Sequence, residues 1–121
     1  MSKAKRADKN QKEIVEQLRT LGYNVEYTYM IGHGFPDVVI SFDSLFTLPI
    51  EFKSKGGKLT EDEVKFHNRY KGYIITAYNL EDVLKGVKDF QERLKLYHEN
   101  GNSERINKKT EDQPNIETLS K

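Results

Sequence analysis

Apolar residues along the chain change their spacing several times, and each change marks the start of another element. Over residues 8–21 they recur at i, i+4 and i+7, the period of a helix with one buried side. The stripe consists of Ile14, Val15, Leu18 and Leu21. Asp8 or Asn10 is expected to cap this helix at its start, and Gly22 stands where a glycine ends many helices.

Four segments have the pattern of β-strands. Residues 24–30 alternate apolar and polar positions, whereas residues 37–42 contain a continuous apolar run that is typical of an interior strand. Residues 46–54 and 73–78 supply the third and fourth strands. Because a proline cannot donate a hydrogen bond to a ladder, Pro49 predicts an edge position or a bulge in the third strand.

Two further segments predict helices. Thr60 to Glu63 has the form of a capping box, which opens a helix that Gly72 is expected to close. Asn79 is expected to cap a last helix over residues 81–98, which carries apolar residues along one side.

The predicted order is helix, three strands, helix, strand, helix. This order indicates an α/β fold in which a four-stranded mixed sheet is flanked by helices. With 121 residues the chain is long enough for one compact domain, which we assign to residues 1–98. Apolar residues nearly vanish after that point, so residues 99–121 predict a polar, mobile tail.

The composition excludes several classes of protein. The absence of cysteine excludes a disulfide framework and a thiolate zinc site. No apolar run approaches the roughly 20 residues that span a bilayer. The basic N-terminus is followed by no apolar segment, which excludes a secretory signal. We therefore expect a cytoplasmic or other intracellular location.

The net charge of +1 hides an uneven distribution. Residues 1–20 contain six Lys and Arg against three acids, and residues 21–50 contain acids but no Lys or Arg. Basic residues return in a cluster that begins at Lys53. This pattern suits a metal site within a phosphate-binding surface, but buried strands also avoid lysine, and charge alone favours that second interpretation.

The candidate chemistry lies at the starts and ends of predicted strands. Pro36 holds Phe35 in an extended conformation and delivers Asp37 as the first residue of an interior strand. On the next strand Glu51 and Lys53 point to the same face, about 6.6 Å apart along it. If the two strands form a hairpin, Asp37 and Glu51 lie near one end of adjacent strands.

This combination suits a divalent cation. Asp37, Glu51 and the backbone carbonyl of Phe52 would supply three oxygen ligands to Mg²⁺ or Mn²⁺. Lys53 could orient or deprotonate the attacking water and neutralise a pentavalent phosphorane. Each piece alone is weak, because Pro-Asp often starts a turn and Glu-x-Lys is often a solvated charge pair. Their conjunction on neighbouring strands carries the interpretation.

Short motifs in this order resemble a known family. They are Arg6-x-Asp8-x-Asn10-Gln11-x-Glu13-Ile14-Val15, Gly34-Phe35-Pro36-Asp37, Glu51-Phe52-Lys53, and Leu59-Thr60 to Phe66-His67. Over roughly residues 5–90 the chain is similar to the small stand-alone nucleases of the VRR-NUC type. These belong to the PD-(D/E)xK, or restriction-endonuclease-like, superfamily. The resemblance implies an αβββαβ core, Mg²⁺ or Mn²⁺ as cofactor, and DNA as substrate.

The resemblance also implies roles for individual residues. Glu13 would be the first-helix acid that holds the metal directly or through a water, Asp37 and Glu51 the ligands, and Lys53 the catalytic lysine. The sequence departs from the family at Glu63, where those nucleases usually present a glutamine. Glu63 either completes the capping box, worth about 1 kcal/mol, or adds negative charge to the site. We favour the cap.

Six further residues are candidates for DNA binding. They are Lys55, Lys58, Lys65, Arg69, His33 and His67. The four basic side chains could follow a DNA backbone, although surface solubility explains any one of them. His33 lies between two glycines just before the Pro-Asp motif, where many loop histidines have no function. For His67, packing of the helix is the alternative to facing the cleft.

The sequence therefore predicts a Mg²⁺- or Mn²⁺-dependent DNA endonuclease, with structure-selective cleavage of branched, flapped or junction DNA as an extension by analogy. Because so small a chain offers little surface to duplex DNA, we expect a homodimer with two sites for two strands. The main alternative is a non-catalytic nucleic-acid-binding module that keeps the nuclease fold. A third is an assembly protein that uses its last helix.

Overall fold

A computed structural model describes residues 9–54 and 56–100 of the chain. Within them three helices and four strands follow one another, with a 3₁₀ turn at Tyr29–Ile31. The elements are α1 (Lys9–Thr20), β1 (Asn24–Tyr27), β2 (Val38–Phe42), β3 (Phe46–Phe52), α2 (Glu61–Arg69), β4 (Ile75–Ala77) and α3 (Leu80–Asn100).

The strands form one mixed sheet in the order β1-β2-β3-β4. β1 pairs antiparallel with β2, and β2 pairs antiparallel with β3 across a tight hairpin. β4 runs parallel to β3, because the chain returns through α2 before it enters the sheet again. The structure therefore confirms an α/β fold with a four-stranded mixed sheet and three helices.

The apolar core lies where α1 and α3 pack against the sheet and against each other. Its fully buried members come from these two helices and from all four strands. They are Ile14, Val15, Leu18, Val25, Val38, Ile40, Leu48, Ile50, Phe52, Ile75, Ala77, Val83 and Val87. The predicted helical stripe is thus correct for three of its four residues, but Leu21 is 56% exposed.

Leu21 is exposed because α1 ends before it. Gly22 adopts a φ of 104°, the left-handed conformation that favours glycine. Its N–H donates to the carbonyl of Arg19, and the N–H of Tyr23 donates to that of Leu18. These two bonds are those of a Schellman motif, so the predicted glycine cap is confirmed.

The first strand is shorter than the predicted segment over residues 24–30. β1 stops at Tyr27, because Thr28 turns out of the extended conformation and the 3₁₀ turn follows. The Thr28 hydroxyl donates to the carbonyl of Pro36 at 2.8 Å, and its N–H donates to the carbonyl of Asp37 at 2.8 Å. These bonds tie the turn to the segment that leads into β2.

The expectation for Pro49 is wrong. β3 is an interior strand between β2 and β4, and its register with β2 runs without a bulge through the pair Val39–Pro49. The ladder between β3 and β4 begins only at Ile50, so the missing N–H of Pro49 removes no bond on that side. A proline can therefore occupy an interior strand where one of its neighbours is short.

Two predicted caps are confirmed and one is wrong. Thr60 and Glu63 form the capping box of α2, and the Asn79 side chain accepts a hydrogen bond from the N–H of Asp82 at 2.8 Å at the start of α3. Gly72 does not end α2, since the extended Tyr70 does. A Cβ on Gly72 would lie 2.6 Å from the ring of Tyr70, an exposed side chain that would have to move aside.

The remaining boundaries follow from neighbouring elements. Only Ile75–Ala77 of the predicted fourth strand enters the ladder, because the strand it pairs with ends at Phe52. The last helix continues to Asn100. The expected tail beyond it, like the candidate cap Asp8, lies outside the described residues. No helix in residues 9–54 and 56–100 has the length and apolar content needed to cross a membrane.

Candidate active site

The hairpin of β2 and β3 brings Asp37 to the second acidic residue, Glu51. The N–H of Asp37 donates to the carbonyl of Ile50 at 3.0 Å, although Ile50 already faces Val38 in the register. Two consecutive residues therefore face one, as in a β-bulge, a feature that turns a side chain away from its regular direction. Asp37 Oδ2 accepts a hydrogen bond from the N–H of Phe52 at 2.8 Å, which fixes the carboxylate against β3.

Glu51 lies on the opposite face of β3 from the apolar core. Its neighbours Ile50 and Phe52 belong to that core, and side chains alternate between the faces of a strand. Asp37 and Glu51 are each only 1% exposed. Lys53, two residues further, shares the face of Glu51, and its backbone N–H donates to the carbonyl of Ala77 at 2.9 Å.

Oxygen atoms surround the ammonium group of Lys53. Its Nζ donates to Glu63 Oε1 at 2.8 Å and to the carbonyl of Lys58 at 3.0 Å. Glu51 Oε2 lies 3.9 Å away. The side chain of Lys53 is 13% exposed, so these contacts hold it beside the two carboxylates.

Glu63 both completes the capping box of α2 and adds negative charge to the site, the two roles considered from its sequence position. Its Oε1 accepts hydrogen bonds from the backbone N–H of Thr60 at 2.8 Å and from Lys53. Burial acts to raise the pKa of the Glu63 carboxyl group, but hydrogen bonds with Glu51, Lys53 and Thr60 and the charge of Lys53 lower it to about 2. The residue that caps α2 is therefore ionised at neutral pH and holds the lysine.

A glycine loop forms another side of the site by close contact with α2. Gly34 has a φ of 83°, and a Cβ there would lie 2.2 Å from the carbonyl oxygen of Asp62. Gly32 has a similar φ of 77°, but a Cβ on it would meet no described atom within 4 Å. Of these two glycines, both are favoured by their positive φ, but Gly34 alone also lacks room for a side chain.

These elements enclose a cleft of about 700 Å³. Its described lining residues are Asn10, Gln11, Gly32, His33, Gly34, Phe35, Asp37, Glu51, Phe52, Lys53, Ser54, Gly57, Lys58, Thr60, Asp62 and Glu63. The described lining residues supply four carboxyl groups and two ammonium groups, a formal excess of two negative charges with His33 neutral. An anionic cleft of this kind attracts a divalent cation and repels a phosphate.

The remaining candidates are distributed unevenly around the cleft. His33 and Lys58 line it, whereas Lys65 and Arg69 are exposed residues of α2 that do not. Glu13 is exposed on α1 and is not among the lining residues. The position of Lys55, also a candidate, lies outside the described residues.

His67 is buried in the protein, as expected from the alternative interpretation that it packs the helix and does not face the cleft. It is 8% exposed, and it does not line the cleft. Burial lowers the pKa of its imidazole, while Glu63 acts to raise it and Lys53 to lower it. Its Nε2 has no hydrogen-bond partner among the described residues. A neutral, buried imidazole is poorly placed to contact DNA directly.

Sequence reasoning did not assign Gln11 to the site, although the structure places it in the cleft. The signal was present in the spacing, because Gln11 precedes the buried Ile14, Val15 and Leu18 by three, four and seven residues. It therefore continues their stripe toward the start of α1. A polar residue on an apolar helix face is the pattern that could have identified it.

The side chains present fit a hard divalent cation. Two buried carboxylates, Asp37 and Glu51, line the same cleft as Phe52, whose backbone could add a carbonyl oxygen. Among the described residues, no group of three His, Cys, Asp or Glu side chains is arranged to hold a metal ion. Mg²⁺ takes few carboxylates and retains waters, so two carboxylates and a carbonyl oxygen are a donor set that it could use.

Comparison with known proteins found no match to a protein-family model, a curated protein or a solved structure.

Proposed function

We propose that this protein is a Mg²⁺- or Mn²⁺-dependent nuclease of the PD-(D/E)xK type that hydrolyses phosphodiester bonds in DNA. The observation that supports this most directly is that Asp37, Glu51 and Lys53 line one cleft, whose described lining residues carry an excess of negative charge. Burying such groups is costly, so their presence at the ends of two interior strands calls for a functional explanation.

The charge of the cleft explains why a cation is needed. Asp37 and Glu51, with the carbonyl of Phe52, are the groups that would hold it. When bound, a divalent cation polarises a phosphoryl oxygen and lowers the pKa of a water bound to it. The carboxylates by themselves would repel a phosphodiester, so their role would be to bind the cation rather than the substrate.

Lys53 supplies the positive charge next to the reacting phosphate. Because Glu63 and the carbonyl of Lys58 hold its ammonium group in place, no reorganisation is needed when negative charge develops on the phosphoryl oxygens. Such preorganised donors contribute on the order of 100-fold or more to a rate. Lys53 therefore stabilises the transition state and orients the attacking water.

Exposed basic residues in and beside the cleft would hold the DNA backbone. Lys58 lines the cleft, and Lys65 and Arg69 lie on α2, which borders it. Contacts of this kind fix the position of a nucleic acid without reading its sequence. A homodimer, which would present two clefts to two strands, and a preference for branched or flapped DNA remain parts of this proposal.

The test is cleavage of plasmid, flap and four-way-junction DNA in Mg²⁺, in Mn²⁺ and in EDTA. The full chain should cut in either cation and not in EDTA, and Asp37→Ala and Lys53→Ala should each lose activity. Lys88→Ala, which removes an exposed cation of α3 that does not line the cleft, is the control and should retain the cleavage rate.

Three outcomes would contradict the proposal. Cleavage that persists in EDTA would remove the divalent cation from the reaction, and cleavage that is unchanged in both site variants would remove Asp37 and Lys53 from it. Binding of DNA that is independent of metal, without any cleavage, would instead favour a non-catalytic nucleic-acid-binding module. Circular dichroism of each variant shows that a lost activity does not reflect a lost fold.

A further inference from the structure

The helix α1 presents a different residue to the cleft from the one expected. Its described contributions to the lining are Asn10 and Gln11, whereas Glu13 is exposed to solvent. Gln11 shares the buried face of α1, while Glu13 lies two positions on, about 200° further around the helix axis. A rigid helix cannot turn both side chains toward the same cleft.

Asp37 and Glu51 have no third acidic side chain arranged with them for a metal: among the described residues, no group of three His, Cys, Asp or Glu side chains could hold the ion. Glu63, a further acid of the cleft, is already engaged by Lys53, by the Thr60 backbone and by Glu51. A neutral oxygen ligand would complete the set, and the side-chain oxygen of Gln11 is buried at the cleft. Amide oxygens are ordinary ligands for hard divalent cations.

We propose that Gln11, rather than Glu13, is the α1 residue that completes the oxygen set for the divalent cation, directly or through one water. A neutral amide suits the charge balance, because the lining residues already carry a formal excess of two negative charges. This inference rests on the proposed function, since it places a cation between Asp37 and Glu51.

The test measures metal affinity without DNA, by isothermal titration of the full chain with Mn²⁺. Gln11→Leu removes the amide while it keeps much of the side-chain volume, and it should weaken Mn²⁺ binding by roughly 10-fold or more. Glu13→Ala, on the same helix, is the matched control and should bind Mn²⁺ like the wild type. Asp37→Asn should abolish binding, and Gln11→Glu should tighten it, because a new carboxylate would face the cation.

The outcomes separate this inference from the proposed function. If the wild-type chain does not bind Mn²⁺, both are overturned. If it binds, Asp37→Asn does not, and Gln11→Leu binds as tightly as the wild type, only the role of Gln11 is overturned. Weaker binding by Glu13→Ala would likewise return the role to Glu13. Should Gln11→Leu fail to fold in a thermal melt, Gln11→Glu decides: tighter binding supports the role, and unchanged affinity overturns it.

Discussion

The two faces of the sheet bury their side chains by different physical means. On the face covered by α1 and α3 the buried residues are apolar and pack against one another. On the other face, Asp37, Glu51 and Glu63 are buried as well, at no more than 4% exposure, but each is polar. The first face is stabilised by removing apolar surface from water, and the second depends on specific partners for every charge.

This difference indicates which face serves stability and which serves function. An apolar cluster tolerates changes of similar volume, because its stabilisation is non-directional. A cluster of buried carboxylates around Lys53 gives little net stability, since desolvation opposes the attraction between the charges. Such a cluster is therefore better explained by the proposed chemistry than by the fold it supports.

The largest contrast should come from two adjacent residues of β3 that face opposite ways. Glu51→Gln removes a charge from the cleft and should lower the cleavage rate roughly 100-fold or more. Ile50→Val removes one buried methylene and should cost about 0.5–1.5 kcal/mol of unfolding free energy while the cleavage rate is retained. Single-turnover cleavage and urea unfolding of both variants check the contrast. Equal losses of rate would show that the two faces are not functionally distinct.

A second contrast compares two glycines in the loop beside α2. Both have positive φ, so alanine at either position should cost roughly 1–3 kcal/mol from backbone strain. At Gly34 the added Cβ would also collide with the backbone of Asp62, so Gly34→Ala should lose about 1–3 kcal/mol more than Gly32→Ala. Thermal unfolding of the two variants measures this difference. Equal destabilisation would mean that the loop does not press against α2.

The smallest contrast concerns the two helix caps. Thr60→Ala and Asn79→Ala each remove a side chain that accepts a backbone N–H bond, and each should cost about 1 kcal/mol. Only Thr60→Ala loosens the turn that holds Glu63 against Lys53, so only that variant should also cleave DNA several-fold more slowly. Comparable rates in the two variants would argue that the cap and the site are energetically separate.

Local signals in the sequence were sufficient for much of the fold. The caps at Gly22, Thr60 and Asn79 form between residues a few positions apart, and so their patterns could be identified without tertiary contacts. The placement of Asp37, Glu51 and Lys53 in one cleft also follows from strand alternation and from a hairpin connection.

Errors arose where a distant element decides the outcome. The interior position of Pro49 depends on how far β4 extends along β3. The cleft position of Gln11, in place of Glu13, depends on how α1 is rotated against the sheet. The second contact of Glu63, with Lys53, joins residues ten positions apart on a strand and a helix.

The sequence by itself determined the order of elements, the caps at Gly22, Thr60 and Asn79, and the shared face of Glu51 and Lys53, because periodicity and capping act over a few residues. Only the tertiary structure decided which further side chains meet them. In the folded protein, Asp37 lies at a bulge opposite Ile50, Glu63 accepts a hydrogen bond from Lys53, and Gln11 lines the cleft. These placements depend on how whole helices and strands dock, and docking is fixed by the packing of many distant side chains at once.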